Sequence, residues 1–302
     1  MKLIPDYIRK IFFILIAMIY WIFSMTKHVA FSEFVTSYLE TPWGKIVPRD
    51  YSIQIGIAVL CLITLYLLLR LIWGERRIYT LLFFAAVISA MILSFRFLIF
   101  EPVEIIHFPQ YAIIAFLLAA ALDKEREGYL IGTLLIMVTL MGIVDEMNQY
   151  FYLTRQYTKY LDWNDFFLNE VGASLGLMFY YGFRNFKNND EKVANAIRGV
   201  NVKLLLISTL IPVLFYLIGI LNFAPDKELD SGFVSSNGWV NIYLERGVGY
   251  YGSWKPGDRG WLVHTLNPLT GTVLMMAYGI MFTRFTSGFK NSWPFYKRYE
   301  NK

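Results

Sequence analysis

Residues 141–176 read MGIVDEMNQYFYLTRQYTKYLDWNDFFLNEVGASLG, a run that sets acids and amides between two apolar stretches and so decides how the rest of the chain is read. If the apolar run from Gly128 to Val144 is helical and continues through Phe151, Asp145 and Gln149 stand one turn apart, with Glu146 beside them on the same patch. Beyond the turn carrying Arg155, a second helix opens around Asp162 to Asp165, and Asp162, Asp165 and Asn169 share one of its faces. Gly172 and Gly176 follow, leaving a notch without side chains where a neighbouring helix can come close. The stretch predicts an assembled polar site near one membrane surface.

Composition supports the membrane. Of 302 residues 56% are apolar and only 17% charged, the balance of an integral membrane protein rather than of soluble domains. The first apolar run, Ile11 to Phe23, has basic residues before it but no small-residue cleavage site after it, and reads as a retained span. The single cysteine, Cys61, lies in an apolar run, so neither an intrachain disulfide nor a Cys-based metal site is available, and no metal site is assigned. No phosphate-binding glycine loop and no nucleic-acid motif occurs, and the net charge of +5 reports topology more than an anionic partner.

A span takes about 20 apolar residues. On that scale eight candidates centre on Ile11 to Ser24, Ile53 to Trp73, Tyr79 to Phe95, Phe108 to Leu122, Gly128 to Val144, Phe166 to Phe183, Leu204 to Leu221 and Leu269 to Phe285. The expected fold class is therefore all-α, a polytopic helical membrane protein of about eight spans with a small external loop or hairpin between the last two. Assigning the connections alternately puts 18 of the 28 lysines and arginines on the side of the termini and 10 on the other, which makes both ends cytoplasmic and turns the stretch from Asp145 to Asp165 outward. Three regions follow: residues 1–100 as N-terminal helices, 101–183 as the motif core, and 184–302 as a C-terminal pair around an external loop at 222–261. In that loop SSNGWVNIYLERGVGYYGSW alternates aromatics between glycine turns, the pattern of a hairpin that could cap the outer ends of the helices.

A second polar cluster lies in FEPVEIIHFPQY, where Glu101, Glu104, His107 and Tyr111 would line one helical stripe, with Pro109 expected to interrupt or kink it. The topology puts it outside as well, where it can meet the other two patches. Each group also has a plainer reading. Glu101 and Glu104 fit solvated loop acids, His107 a satisfied interfacial histidine, and Asp162 or Asn164 the N-cap of the sixth span. Asp145 and Glu146 are harder to dismiss, because carboxylates at a membrane segment's end cost several kcal/mol unless hydrated, paired or protonated. Arg155 is their natural counter-ion, in a structural network or in a catalytic one.

The ordered set from HFPQY, through DEMNQYF and Arg155, to Asp162, Asp165, Asn169, Gly172 and Gly176 resembles the VanZ-like membrane protein family. That family's pattern runs His-x-x-x-Tyr, Asp-Glu-x-x-Gln, Arg, Asp-x-x-Asp and Asn-x-x-Gly-x-x-x-Gly. The likeness is firm over the fourth to sixth spans, looser over the first three, and does not extend past Asn185. It implies a multi-pass protein of the bacterial cell membrane with a cell-envelope role, since the family's namesake is associated with resistance to the glycopeptide teicoplanin. It names no reaction and no cofactor, so roles are argued from side-chain chemistry. Glu104, His107, Asp145, Glu146 and Arg155 are the candidate acid, base and anion-holding groups, with Tyr111, Gln149, Asp162, Asp165 and Asn169 as substrate-binding groups. The expected partners are the bilayer and an envelope lipid, glycan or glycopeptide, with no nucleic acid. An enzyme and a non-catalytic scaffold that shields a wall precursor fit these residues equally. An ion-coupled transporter fits less well, because the acids cluster at one side of spans whose middles are apolar.

Overall fold

The computed structural model describes residues 5–40, 77–125, 128, 130–154, 158–181, 191–236, 238–257 and 260–287. Among these, seven α-helices carry most of the chain: α1 (Asp6–Glu40), α2 (Arg77–Phe97), α3 (His107–Leu122), α4 (Ile131–Asn148), α5 (Trp163–Tyr181), α6 (Glu191–Leu217) and α7 (Pro268–Ser287). Four helical stretches are long and apolar enough to cross a membrane: Asp6–Lys27, Val103–Leu122, Ile131–Leu153 and Gly199–Leu217. Phe84–Phe97 and Pro268–Phe282 are shorter apolar helices. The expected second span, Ile53 to Trp73, falls outside the described residues. The sixth forms α5 but carries Asp165 and Glu170, which dilute its apolar character. Eight spans are thus matched only in part, and the chain is mostly helical rather than wholly so.

From α3 to α6 the helices alternate in direction. Near the start of α1, Arg9 donates to the Ala120 carbonyl at the far end of α3, and Lys124 pairs with Asp6 at 3.3 Å. Tyr180 and Tyr181, closing α5, reach Asp123 at 2.8 Å each, and Asn201 of α6 meets Thr133 of α4 at 2.9 Å. One end of the bundle therefore gathers the starts of α1, of α4 and of the apolar Gly199–Leu217 stretch of α6 with the finishes of α3 and α5. The polar stretches collect at the opposite end.

The packing that fixes this arrangement runs through α5. A Cβ on Gly172 would lie 2.7 Å from the His107 carbonyl, and one on Gly176 would run into the Ala112 carbonyl, so α5 and α3 meet backbone to backbone across the notch read in the sequence. On its other side, Asn169 fills the space left by Gly142, whose Cβ would come within 2.8 Å of the asparagine Cβ. Three glycines thus seat α5 between α3 and α4.

The stripe expected before the fourth span does not form as one helix. Pro102–Ile106 is a 3-10 turn, and α3 begins only at His107. Glu104 turns back to close a capping box, accepting from the Phe100 and Glu101 backbone N–H groups at 2.8 and 3.2 Å. Because α3 starts so late, Pro109 sits in its first turn, where its missing N–H has no intrahelical partner to lose, and no interruption results.

Residues 221–266 form two small sheets rather than a lone hairpin. In the first, β1 (Leu221–Asn222) pairs in parallel with β3 (Trp239–Tyr243), which pairs antiparallel with β2 (Phe233–Ser236). Gly238 in the β2–β3 turn has φ +79, as such a tight turn requires. The second pairs β4 (Trp254–Pro256) with β5 (Leu262–His264). This unit covers the polar end of the helices: Phe233 stacks on Phe151 at 3.9 Å, Tyr150 donates to the Tyr243 carbonyl at 2.8 Å, and the Leu161 N–H to the Leu244 carbonyl at 2.8 Å.

Candidate functional site

At the capped end, α3 brings His107, Gln110 and Tyr111, α4 brings Asp145 and Glu146, and α5 brings Asp165 and Asn169. Gln149 opens a π-turn (Gln149–Leu153) that ends α4 and keeps its amide over the acids. Asp145 is fully buried and accepts from the Tyr111 hydroxyl (2.8 Å), Gln110 Nε2 (3.3 Å) and Gln149 Nε2 (3.3 Å). Glu146, also buried, accepts from Gln149 Nε2 and Asn169 Nδ2, each at 3.3 Å. Adjacent carboxylates therefore both point inward, which the sequence did not require.

Asn169 is the hinge of the network. Its Nδ2 is engaged by Glu146, so its Oδ1, 2.7 Å from His107 Nδ1, accepts that nitrogen's proton. The neutral imidazole then carries its lone pair on Nε2. That atom lies 3.7 Å from Oδ1 of Asp165, and this carboxylate oxygen is buried with no hydrogen-bond partner. His107 Nδ1 is 3.8 Å from Glu146 Oε1. One ligand atom each of His107, Glu146 and Asp165 lies within 4.8 Å of the others. The sequence assigns no metal site, since its single cysteine offers no Cys-based site and His107 reads as a satisfied histidine; the fold brings these three residues together.

Asp162 takes the capping role offered for it in the sequence. Just ahead of α5, it accepts the Asn164 N–H at 2.8 Å as a helix cap, and it hydrogen-bonds the Tyr160 hydroxyl. Burial and the neighbouring Asp165 carboxylate push its own carboxyl up to about 7. Burial, then the charges of Asp162, Asp165 and Glu104, drives the Tyr160 hydroxyl far above its ordinary range. Glu104 thus belongs to the electrostatic surroundings while its oxygens cap backbone. Tyr160, Tyr250, Tyr251 and Trp163 form an aromatic wall beside this edge, with Tyr160 stacked on Tyr250 at 5.5 Å and Tyr251 edge-on to Trp163 at 6.1 Å.

Of the ten candidate site residues, His107, Tyr111, Asp145, Glu146, Gln149, Asp165 and Asn169 form one contiguous cluster, and Asp162 and Glu104 border it. Arg155 lies outside the described residues. Among the described residues no lysine or arginine forms an ion pair with the cluster acids; the Lys and Arg pairs join Arg9 and Lys124 to Asp6 and Lys159 to Glu228. Sequence reasoning missed Gln110, which stands one turn after His107 and one residue before Tyr111. It also missed Glu170, buried in α5 with Oε2 unpartnered and Oε1 facing Gly279 of α7. An ionisable residue inside an apolar segment was the available signal. Asn164, named in the sequence only as an alternative N-cap, has a different role: buried, it donates to the Leu98 and His264 carbonyls and accepts the Leu266 N–H, tying α2, the cap and α5 together at 2.8–2.9 Å.

Fold and site together define a mostly helical protein, with several helices long and apolar enough to span a bilayer and a buried acid, histidine and amide cluster at one capped end. Compared with protein-family models, curated proteins and solved structures, the chain matches none.

Proposed function

We propose that this is a VanZ-like protein of the bacterial cell membrane whose outward-facing pocket binds or modifies the headgroup of an envelope lipid or glycan, and that it contributes to tolerance of glycopeptides. In this reading the chain has eight spans with both termini in the cytoplasm. The observation that carries it is the convergence, from α3, α4 and α5, of His107, Tyr111, Asp145, Glu146, Asp165 and Asn169 at one end of an otherwise apolar bundle. A group of that kind has no purpose as packing alone, since burying carboxylates costs several kcal/mol that apolar side chains of similar size would not. Its position suits an amphiphile, whose tail stays among lipids while its polar head reaches the cluster. The cap and its aromatic wall would hold the head and exclude competing water. Glu146 and His107, linked through Asn169, are placed to move a proton, and Arg155, which follows α4 in the sequence, would hold an anionic group.

The test is made in cells challenged with teicoplanin and in an assay of envelope-lipid turnover. Glu146→Gln and Arg155→Lys each keep size while changing charge or bidentate geometry. Both are expected to lose the phenotype while the protein accumulates normally in membranes. Full activity in both would reduce the cluster to a structural role.

A further inference from the structure

The unpartnered oxygen of Asp165 points to something the hydrogen-bond network leaves unfinished. Burial of that oxygen without a donor is costly, and what faces it at 3.7 Å is His107 Nε2, itself an acceptor once Nδ1 has given its proton to Asn169. Two lone pairs confront one another. The separation is too long for a hydrogen bond but suits a shared cation: an ion about 2.1 Å from each atom would bridge them at an angle of about 125°. Glu146, buried, completes a third corner: one of its oxygens, a ring nitrogen of His107 and an oxygen of Asp165 all lie within 4.8 Å of one another, and it stands 3.8 Å from the imidazole at Nδ1. The group has only to contract toward the edge of about 3.4 Å expected of a tetrahedral site.

We propose that His107 Nε2, Asp165 and Glu146 bind a divalent first-row transition-metal ion, zinc or manganese in chemistry, at the centre of the pocket. The inference rests on reading this cluster as the functional site. One imidazole nitrogen with carboxylate oxygens and no thiolate suits such ions better than the all-oxygen cages of calcium and magnesium. Asn169 supplies what a metal-bound histidine needs: an acceptor that fixes the protonated nitrogen and aims the other at the ion. Its amide also holds Glu146 at 3.3 Å, so one side chain orients two ligands. Two positive charges offset the carboxylates that no described lysine or arginine pairs with. Three protein ligands leave a coordination position open for a phosphate or carbonyl oxygen of a headgroup, where the ion polarises it or lowers the pKa of a bound water.

The experiment uses the full chain purified in detergent, stripped with a chelator and reloaded separately with zinc, manganese and cobalt. Metal content is read by mass spectrometry, and the cobalt form by its visible absorption. The expected result is about one equivalent per chain, falling about ten-fold or more in affinity in His107→Gln, Asp165→Asn and Glu146→Gln, with the histidine variant also shifting the cobalt spectrum. Glu170→Gln, which removes a buried acid outside the triad, is expected to bind as the wild type does. A wild-type chain that takes up no metal overturns the site whatever the variants do, and that is the outcome expected if the Arg155 guanidinium neutralises the acids instead. Wild-type binding in Asp165→Asn overturns it as well. Phenotype and metal content are read separately. Loss of the phenotype in Glu146→Gln by a chain that never binds metal leaves the pocket function standing without the ion. Metal lost from Asp165→Asn with the phenotype intact upholds the ion and removes the pocket from the function.

Discussion

At the scale of single residues, the site is built from groups that satisfy one another in pairs, and that pairing is what each substitution tests. The Tyr111 hydroxyl is one of three donors to a fully buried Asp145. Tyr111→Phe removes that donor without changing the packing of the ring, and should lower stability by about 1–3 kcal/mol, the usual cost of leaving a buried polar group short of a partner. Thermal unfolding followed in detergent measures it; an unchanged midpoint would show that Asp145 does not depend on the phenol. Asp162 gives a pH signature of known sign. Its carboxyl is raised to about 7 in the folded chain from an ordinary value of 3.8, so the folded state binds the proton more tightly. The stability contributed is fully present below about pH 4 and is lost as pH rises through about 7. The groups facing it are Asp165 and Glu104, whose charges oppose its ionisation, and the Asn164 N–H and Tyr160 hydroxyl, which favour it. Asp162→Asn should flatten the slope of unfolding midpoint against pH between 4 and 7 in metal-free protein. A slope as steep as that of the wild type would assign it to other acids.

At the scale of elements, α5 decides the site because it is the helix on which the others are registered. Gly172 and Gly176 press it against the backbone of α3, and Gly142 of α4 admits Asn169, so the His107–Asn169–Glu146 chain of contacts depends on helix separation as much as on side-chain identity. Gly176→Leu would have to displace the Ala112 carbonyl itself. Overpacking of that kind costs typically 1–3 kcal/mol and more where backbone cannot yield, so the expected outcome is loss of monodisperse protein on gel filtration. Gly199, with nothing within 4 Å of an added Cβ, is the control at which Gly→Ala should be harmless. Much of this was legible beforehand. Glycines four apart after Asn169 announce a close helix contact, and acids at helical spacing announce a shared face. The 3-10 turn at Pro102–Ile106 was not legible, because the three-residue spacing of Glu101, Glu104 and His107 fits a 3-10 helix as well as an α-helix. Nor was the meeting of His107 with Asp165: local periodicity fixes faces, while contacts between helices 58 residues apart in sequence are set by tertiary packing.

At the scale of the whole molecule, alternating helices and the position of the cap put the site and residues 221–266 at one end and Lys124 with the start of α1 at the other. The long loop was readable as a hairpin from its Asn-Gly turn. Its second sheet and the parallel pairing of β1 with β3 were not, since strands of two and three residues carry almost no periodic signal. Which end faces outward belongs to the proposed function and rests on charge: lysine and arginine tend to be held back on the cytoplasmic side, and on the 18 to 10 division Lys124 would lie on that side and the cap on the other. The geometry makes the assignment testable, because a label at one end of the bundle cannot share a compartment with a label at the other if the helices cross a bilayer. Trp239 is exposed on β3 of the cap, and the Lys124 side chain is exposed where α3 ends. With Cys61 replaced by serine to remove the native thiol, Trp239→Cys should react with a membrane-impermeant maleimide added to intact cells. Lys124→Cys should react only after the membrane is permeabilised. Reaction of Lys124→Cys in intact cells, with Trp239→Cys protected, would turn the protein over and put the acid pocket in the cytoplasm. Equal labelling of both before permeabilisation would mean that the helices between them do not separate two compartments.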